Sequence, residues 1–279
     1  MEFDTIIGVP FEEHRPLHSM LHDQPEPDPP AAEEQVGRMV KIRSADSSGR
    51  RGSASVLINR MYATRGYRSS PLPAERDPTR ITLVASEQDE VIGTITIGFD
   101  SASGLHIDDL FASEVDMLRH AGRRVCEFTK LAMDSVVRSK RVLAALFHVS
   151  YIYGHLLMRY DNLLIEVNPR HVRYYQRMLG FRAIGTPRLN LRVNAPAVLM
   201  SLDFVHARAQ IAKYGGKPQY SLLERSLYPY FFAPAEESAI VGRLRSIDSP
   251  LPGPASDKGH DAYHRTEARE PPVDRSHMT

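Results

Sequence analysis

The chain has 279 residues, 42% of them hydrophobic and 25% charged, which is enough apolar mass for a sizeable core. Its 35 lysines and arginines nearly cancel 34 aspartates and glutamates, so no net field draws it to nucleic acid or to a membrane surface, and any basic site is local. The single cysteine, Cys126, excludes an intramolecular disulfide and a thiolate metal cluster and fits a reducing, cytoplasmic setting. No run of about 20 apolar residues reads as a membrane span, and residues 1–10 lack the basic and apolar pattern of a secretory leader.

Proline and acid replace apolar residues around 22–35 and again from 249 onward, so neither stretch repays its ordering entropy by burial. The expected organisation is a disordered arm over 1–37, one domain over 38–245 with a helical extension from about 205, and a disordered tail over 246–279. Within the domain, residues 39–45 (MVKIRSA) alternate as a strand and 53–67 show helical spacing at Leu57, Met61 and Thr64. Residues 80–87 and 90–100 are rich in β-branched side chains and meet at Gln88-Asp89, which predicts a hairpin. A short helix over 112–122 ends in glycine, and 124–133 (RVCEFTKLAM) reads as a central strand interrupted by Glu127 and Lys130. Residues 139–160 are apolar almost all round, as in a buried helix, and 162–167 (NLLIEV) form a buried strand. Asn168 as N-cap, Pro169 in the first turn and Gly180 as a left-handed C-cap delimit the next helix. Strands over 181–185 and 191–204 complete the sheet, and 205–244 is helical around the aromatic patch YPYFF. The order is α/β with a mixed sheet, and the missing glycine fingerprint argues against a dinucleotide-binding fold.

Two segments carry a resemblance. VCEFTKLAMD (125–134) resembles the fourth strand of GNAT acyltransferases, and EVNPRHVRYYQRMLGF (166–181) is similar to their later strand and helix. The Glu-x-x-Lys of CEFTKLAM is similar to the Glu-x-x-Arg strand of acyl-homoserine-lactone synthases, and residues 104–134 look most like long-chain N-acyl amino acid synthases. The likeness spans roughly residues 40–204. It implies a GNAT-like fold, a central, mostly antiparallel twisted sheet flanked by helices, and transfer of a long acyl group from a thioester to the amine of an amino acid. In place of the glycine turn with which acetyl-CoA-dependent relatives cradle pyrophosphate, this chain has DSVVRSKRVL. Arg138, Lys140 and Arg141 put cations there instead, which suits an acyl carrier protein or its phosphopantetheine phosphate as well as a solvated helix end. Alternatives are an acyl-CoA donor, a homoserine-lactone signal, or a non-catalytic carrier-binding domain; the absence of tryptophan argues against the signal synthase.

Amide formation needs a neutral amine, a polarised carbonyl and an expelled thiolate. Glu127, a carboxylate in an apolar strand, is the candidate base, with a buried ion pair to Lys130 or to an arginine of the first helix as the competing reading. Three positions apart on a strand, Lys130 and Glu127 are expected on opposite faces, and Lys130, with Met133, is placed at the donor or as a backbone anchor. The resemblance implies a tyrosine that protonates the thiolate, and Tyr175 is the candidate, against simple core packing; the family's usual place for it, four residues before the glycine, is Gln176 here, with Tyr174 and Tyr175 just before. Carbonyl polarisation falls to strand N–H groups. Leu143, Leu146, Phe147 and Tyr151 are candidates for an acyl tunnel, and Arg60 and Arg65 for the acceptor carboxylate. The histidines show no metal-ligand spacing, and no metal or cofactor is expected beyond the thioester co-substrate.

Overall fold

The computed structural model describes residues 4–10, 38–68, 70–134 and 139–247. In chain order these form β1 (Thr5–Pro10), β2 (Met39–Ser44), α1 (Ser48–Ala63), β3 (Arg80–Glu87), β4 (Glu90–Phe99), α2 (Asp108–His120), β5 (Val125–Met133) and α3 (Lys140–Tyr151), which continues as a π-helical turn (Ile152–Leu157). Then follow β6 (Asn162–Val167), a 3₁₀ turn (Pro169–His171) running into α4 (Val172–Leu179), β7 (Arg182–Ala183), β8 (Arg188–Asn190), β9 (Ala195–Asp203), α5 (Phe204–Tyr214) and α6 (Pro234–Ile247). The strands are ordered β1-β2-β3-β4-β5-β6-β9-β7, with β8 also on β9. Every pairing is antiparallel except β5 with β6. This is the mixed, mostly antiparallel sheet flanked by helices that the sequence predicts.

Local chemistry sets the helix ends. Ser47 Oγ accepts from the Arg50 N–H at the start of α1, and Ser139 Oγ from Val142 at the start of α3. Asn168 Oδ1 accepts from Arg170, and Gly180 closes α4 with φ 81°. One expectation fails at the amino end. Residues 5–10, assigned to the disordered arm, pair with β2, and Ile6 and Val9 are buried. Their partner lies some thirty residues downstream across the proline-rich stretch, so local composition carried no sign of it.

The sheet's two faces differ. One packs on α3, with Cys126, Phe128, Leu163 and Ile165 in its core. The other carries α1 over Val84, Val91 and Ala132, and α2 over Val125, Leu164 and Leu199. Alternation along a strand means residues of one parity share a face, so Val125, Glu127 and Thr129 face the α2 side with Leu164 and Glu166. A β-bulge then shifts the phase of β5. Thr96 pairs with Thr129 and Thr94 with Ala132, leaving Lys130 and Leu131 opposite Ile95, with Lys130 at φ 52°. Beyond the bulge Ala132 is therefore on the α1 side, and Lys130 lies with Glu127 rather than opposite it. The expectation of opposite faces fails because an inserted residue restores the side that a three-residue step would reverse.

Candidate active site

β5 and β6 pair from Val125 with Asn162 to Phe128 with Ile165, and there the pairing ends. β5 runs on to Met133 and β6 to Val167, so the sheet opens into a slit whose first flanking residues on the α2 side are Thr129 and Glu166.

Facing α3, the slit is apolar. A cavity of about 20 Å³, the size of one water, lies among Phe128, Phe147, Tyr151, Leu163, Leu179 and Leu202. The carboxy-terminal elements close it with Phe204, Ala207, Tyr228 and Phe231. Of the residues expected in an acyl tunnel, Phe147 and Tyr151 line this cavity; Leu143 and Leu146 are buried in the surrounding core instead.

Facing α1 and α2, the slit is polar. Glu127 is fully buried, and its two oxygens accept from the His106 and Ile107 N–H groups, each at 3.1 Å. Arg80 Nη1 lies 2.8 Å from Oε1 without an aligned N–H, so charge rather than a directed hydrogen bond holds that pair. The ion-pair partner is thus an arginine of β3, not Lys130 or an arginine of α1. Lys130 Nζ donates to the Ser70 and Pro71 carbonyls at 2.9 and 3.3 Å, anchoring the loop between α1 and β3. Burial and then the Arg80 cation lower its pKa. Tyr67 of that loop accepts from Asn168 and Arg170 at 3.3 Å, spanning to the turn after β6.

Two groups on this face escaped the sequence reading. Glu166 Oε2 accepts from Asn190 at 2.7 Å and Arg192 at 3.2 Å, while its Oε1 is buried with no partner. Burial raises its pKa; Arg192 opposes the shift and the Glu127 charge reinforces it. His106 stands near the same charges. Although the residue is exposed overall, its ring is crowded enough that desolvation, then Arg80, hold its pKa below the usual value against the pull of Glu127. Glu166 and Arg192 both sat in strands that read as wholly structural; β9 begins only at Ala195, so Arg192 lies in the turn before it, and only the fold brings it to Glu166.

Tyr175 lies on α4 with its ring edge-on to Tyr174 and Phe181, at 5.4 and 5.8 Å between centroids. Burial raises its pKa, Tyr174 and then Tyr62 of α1 add to the shift and Arg65 opposes it, so the phenol stays protonated at neutral pH. Among the acceptor candidates, Arg60 is paired with Asp134 at the far end of β5. Arg65 is exposed, donates to the Met61 carbonyl at 3.4 Å and stands near His171 and Tyr175. Neither is hydrogen-bonded to Glu166, where Arg192 is the cation. Of the donor candidates, Met133 packs under Gly93, where an added Cβ would stand 2.8 Å from its sulfur. Arg138 lies outside the described residues. Lys140 begins α3, and burial followed by repulsion from Arg177 lowers its pKa, which adds a cation of α4 to the pair Lys140 and Arg141. Among the described residues no group of three or more His, Cys, Asp or Glu is placed to hold a metal ion.

Residues 53–203 match the N-acyl amino acid synthase FeeM family. The chain belongs to that family. It is an acyltransferase acting on amino groups, and the mixed, mostly antiparallel sheet flanked by helices is the architecture that the resemblance implied. The structure of FeeM, an N-acyl amino acid synthase from uncultured soil microbes, aligns at TM-score 0.55 and 27% identity, covering 61% of this chain and 93% of that one. The AHL synthase LasI aligns at TM-score 0.42 and 15% identity, covering 59% and 89%, and Escherichia coli ElaA at 0.45 and 10%, covering 59% and 100%. A search of the curated proteins found no match. The family match ends at residue 203, so α5, α6 and the segment between them lie beyond it.

Proposed function

We propose that the protein joins a long acyl chain, delivered as a thioester on acyl carrier protein, to the amino group of an amino acid in the cytoplasm, with no cofactor beyond the thioester. The observation that carries this reading is the two-faced slit. An N-acyl amino acid is an apolar tail bonded to a polar head, and the parting of β5 and β6 has an apolar lining on one face, which parts further to admit a tail, and Glu166, Arg192 and His106 on the other. A thioester carbonyl set in the parting has its tail on the α3 side and meets the amine from the α2 side. Past Phe128 the strand β5 no longer pairs with β6, and its N–H groups on that edge are the ones we assign to the developing oxyanion. Tyr175, held protonated, gives its proton to the leaving sulfur.

The donor assignment rests on charge. Lys140 and Arg141 at the start of α3, with Arg177 of α4, form a cationic edge suited to an acidic carrier and its phosphate. An acyl-CoA donor is the second reading, favoured by the same helix start, which also binds phosphate. Incubating the protein with tetradecanoyl carrier protein or tetradecanoyl-CoA and a mixture of the twenty amino acids, with products resolved by mass spectrometry, separates the readings. Carrier-dependent N-acyl amino acids are expected. Product from CoA alone would overturn the carrier assignment, and none from either donor would overturn the synthase. Charge reversal of Arg141 and Arg177 is expected to raise the carrier KM about tenfold at low salt, with a smaller effect as salt screens the contact.

A further inference from the structure

Among the described residues, the side-chain atoms buried without a hydrogen-bond partner are Arg51 Nε, Arg80 Nη1, Thr129 Oγ1 and Glu166 Oε1. An orphaned polar atom costs about 1–3 kcal/mol, so a fold retains few of them, and those it retains point to something absent. Arg51 lies on α1, and Arg80 has the Glu127 charge beside it. The remaining two flank the slit. Phe128 pairs with Ile165, and the next residues along the parallel strands are Thr129 and Glu166. Both belong to the face away from α3: Thr129 is opposite Thr96, whose hydroxyl bonds Thr82 on that side, and Glu166 alternates with Leu164 in the α2 core. A hydroxyl and a carboxylate oxygen, both unsatisfied, thus stand on the same face at the point where β5 and β6 part.

We propose that Thr129 Oγ1 and Glu166 Oε1 bind the acceptor nitrogen, and that Glu166 is the base that removes its proton. A hydroxyl oxygen and a carboxylate oxygen are both acceptors for an ammonium, which has three N–H groups to give. Arg192, already on the other oxygen of Glu166, is near enough for the acceptor carboxylate to exchange onto its guanidinium. The site would therefore take an α-amino acid in one orientation. The task falls to Glu166 rather than Glu127 because the Glu127 oxygens already accept the His106 and Ile107 N–H groups and lie against Arg80, contacts that suit it to positioning the start of α2.

This role rests on the synthase reading. Glu166 Oε1 accepts one proton of the ammonium and passes it to solvent; the C–N bond forms as the C–S bond breaks. The nitrogen's second proton replaces the one that Tyr175 gives to sulfur. The products are an amide, a free thiol and one proton released to water. The groups facing Glu166 are Arg192 from the loop before β9, Asn190 of β8 and Glu127 of β5, with Arg80, His106 and Lys130 behind them. Burial and the Glu127 charge place the acid limb of the pH profile above an ordinary glutamate's value, because the carboxylate must be ionised to act.

The test compares wild type with Glu166→Gln and Thr129→Val, using tetradecanoyl carrier protein and the amino acid the wild type uses best. Glu166→Gln is expected to lower kcat about 10²- to 10³-fold, to abolish the acid limb, and to recover as rising pH frees the amine without help. Thr129→Val is expected to raise the acceptor KM about five- to tenfold with the donor KM unchanged. Thermal unfolding checks that both variants fold; a misfolded Glu166→Gln is replaced by Glu166→Asp, for which a fall in kcat with the acid limb retained is expected. Active wild type with an undiminished, wild-type-like profile in the Glu166 variant would overturn the base and leave the synthase standing. A wild type without product from either donor would overturn both.

Discussion

At the residue scale, two acids of similar sequence setting separate into different tasks. Glu127 was legible as an anomaly, a carboxylate in an apolar strand, but its partners were not, because Arg80, His106 and Ile107 reach it only through the hairpin and the approach to α2. Glu166 was invisible for the opposite reason: it closes a strand whose burial looked purely structural, and its meaning depends on the strand beside it stopping its ladder. The two therefore respond differently to an amide. Glu127→Gln leaves Arg80, a largely buried guanidinium, with only the more distant charge of Asp77 at 3.7 Å, and is expected to cost about 2–3 kcal/mol, lowering Tm by on the order of 5–10 °C. Calorimetry checks this: a Tm within about 2 °C of wild type would deny Glu127 its structural part. Glu166→Gln is expected to change turnover far more than Tm.

At the element scale, strands and helices were largely readable where their signals are local. Asn168, Pro169 and Gly180 bracket α4 in the sequence and do so in the structure. The bulge in β5 was not, since its only local trace is a lysine, and a left-handed φ at lysine is set by the register imposed from β4. Nor was β1, whose pairing is remote. Lys130 joins this kink to the loop between α1 and β3 through its ammonium. Lys130→Met is expected to speed amide exchange over residues 66–78 by roughly tenfold while exchange in β3 and β4 stays unchanged; uniform exchange across both regions would remove the anchor. At Gly180 a Cβ would stand 2.5 Å from His206 Nε2 in a backbone conformation that L-residues avoid, so Gly180→Ala is expected to cost at least about 1 kcal/mol in denaturant unfolding.

At the scale of the whole molecule, the part beyond the family match completes the core. His148 of α3 is fully buried; its Nδ1 accepts from the Phe232 N–H at 2.9 Å, so Nε2 carries the proton toward Glu237 at 2.8 Å. Phe231 and Phe232 stack on its ring. Burial lowers the His148 pKa although Glu237 opposes it, so below pH about 6.5 the unfolded chain takes a proton that the folded one resists. Stability therefore falls on acidification through that window, by at most about 1.4 kcal/mol per pH unit from this group, and His148→Gln is expected to flatten the slope of Tm between pH 5.5 and 7.5. An unchanged slope would assign the acid sensitivity elsewhere. Phe231 and Tyr228 also roof the apolar chamber, and α6 packs on β1, so the last elements finish both the chamber and the sheet's first edge. During synthesis, then, a nascent chain that has emerged only through β9 still has Phe147, Leu163 and Leu202 open to water and an uncovered edge strand. That core closes only when Tyr228 and Phe231 have followed, and the edge strand is covered only when α6 has cleared the ribosome, so the interval between β9 and α6 is the one in which the unfinished sheet is exposed.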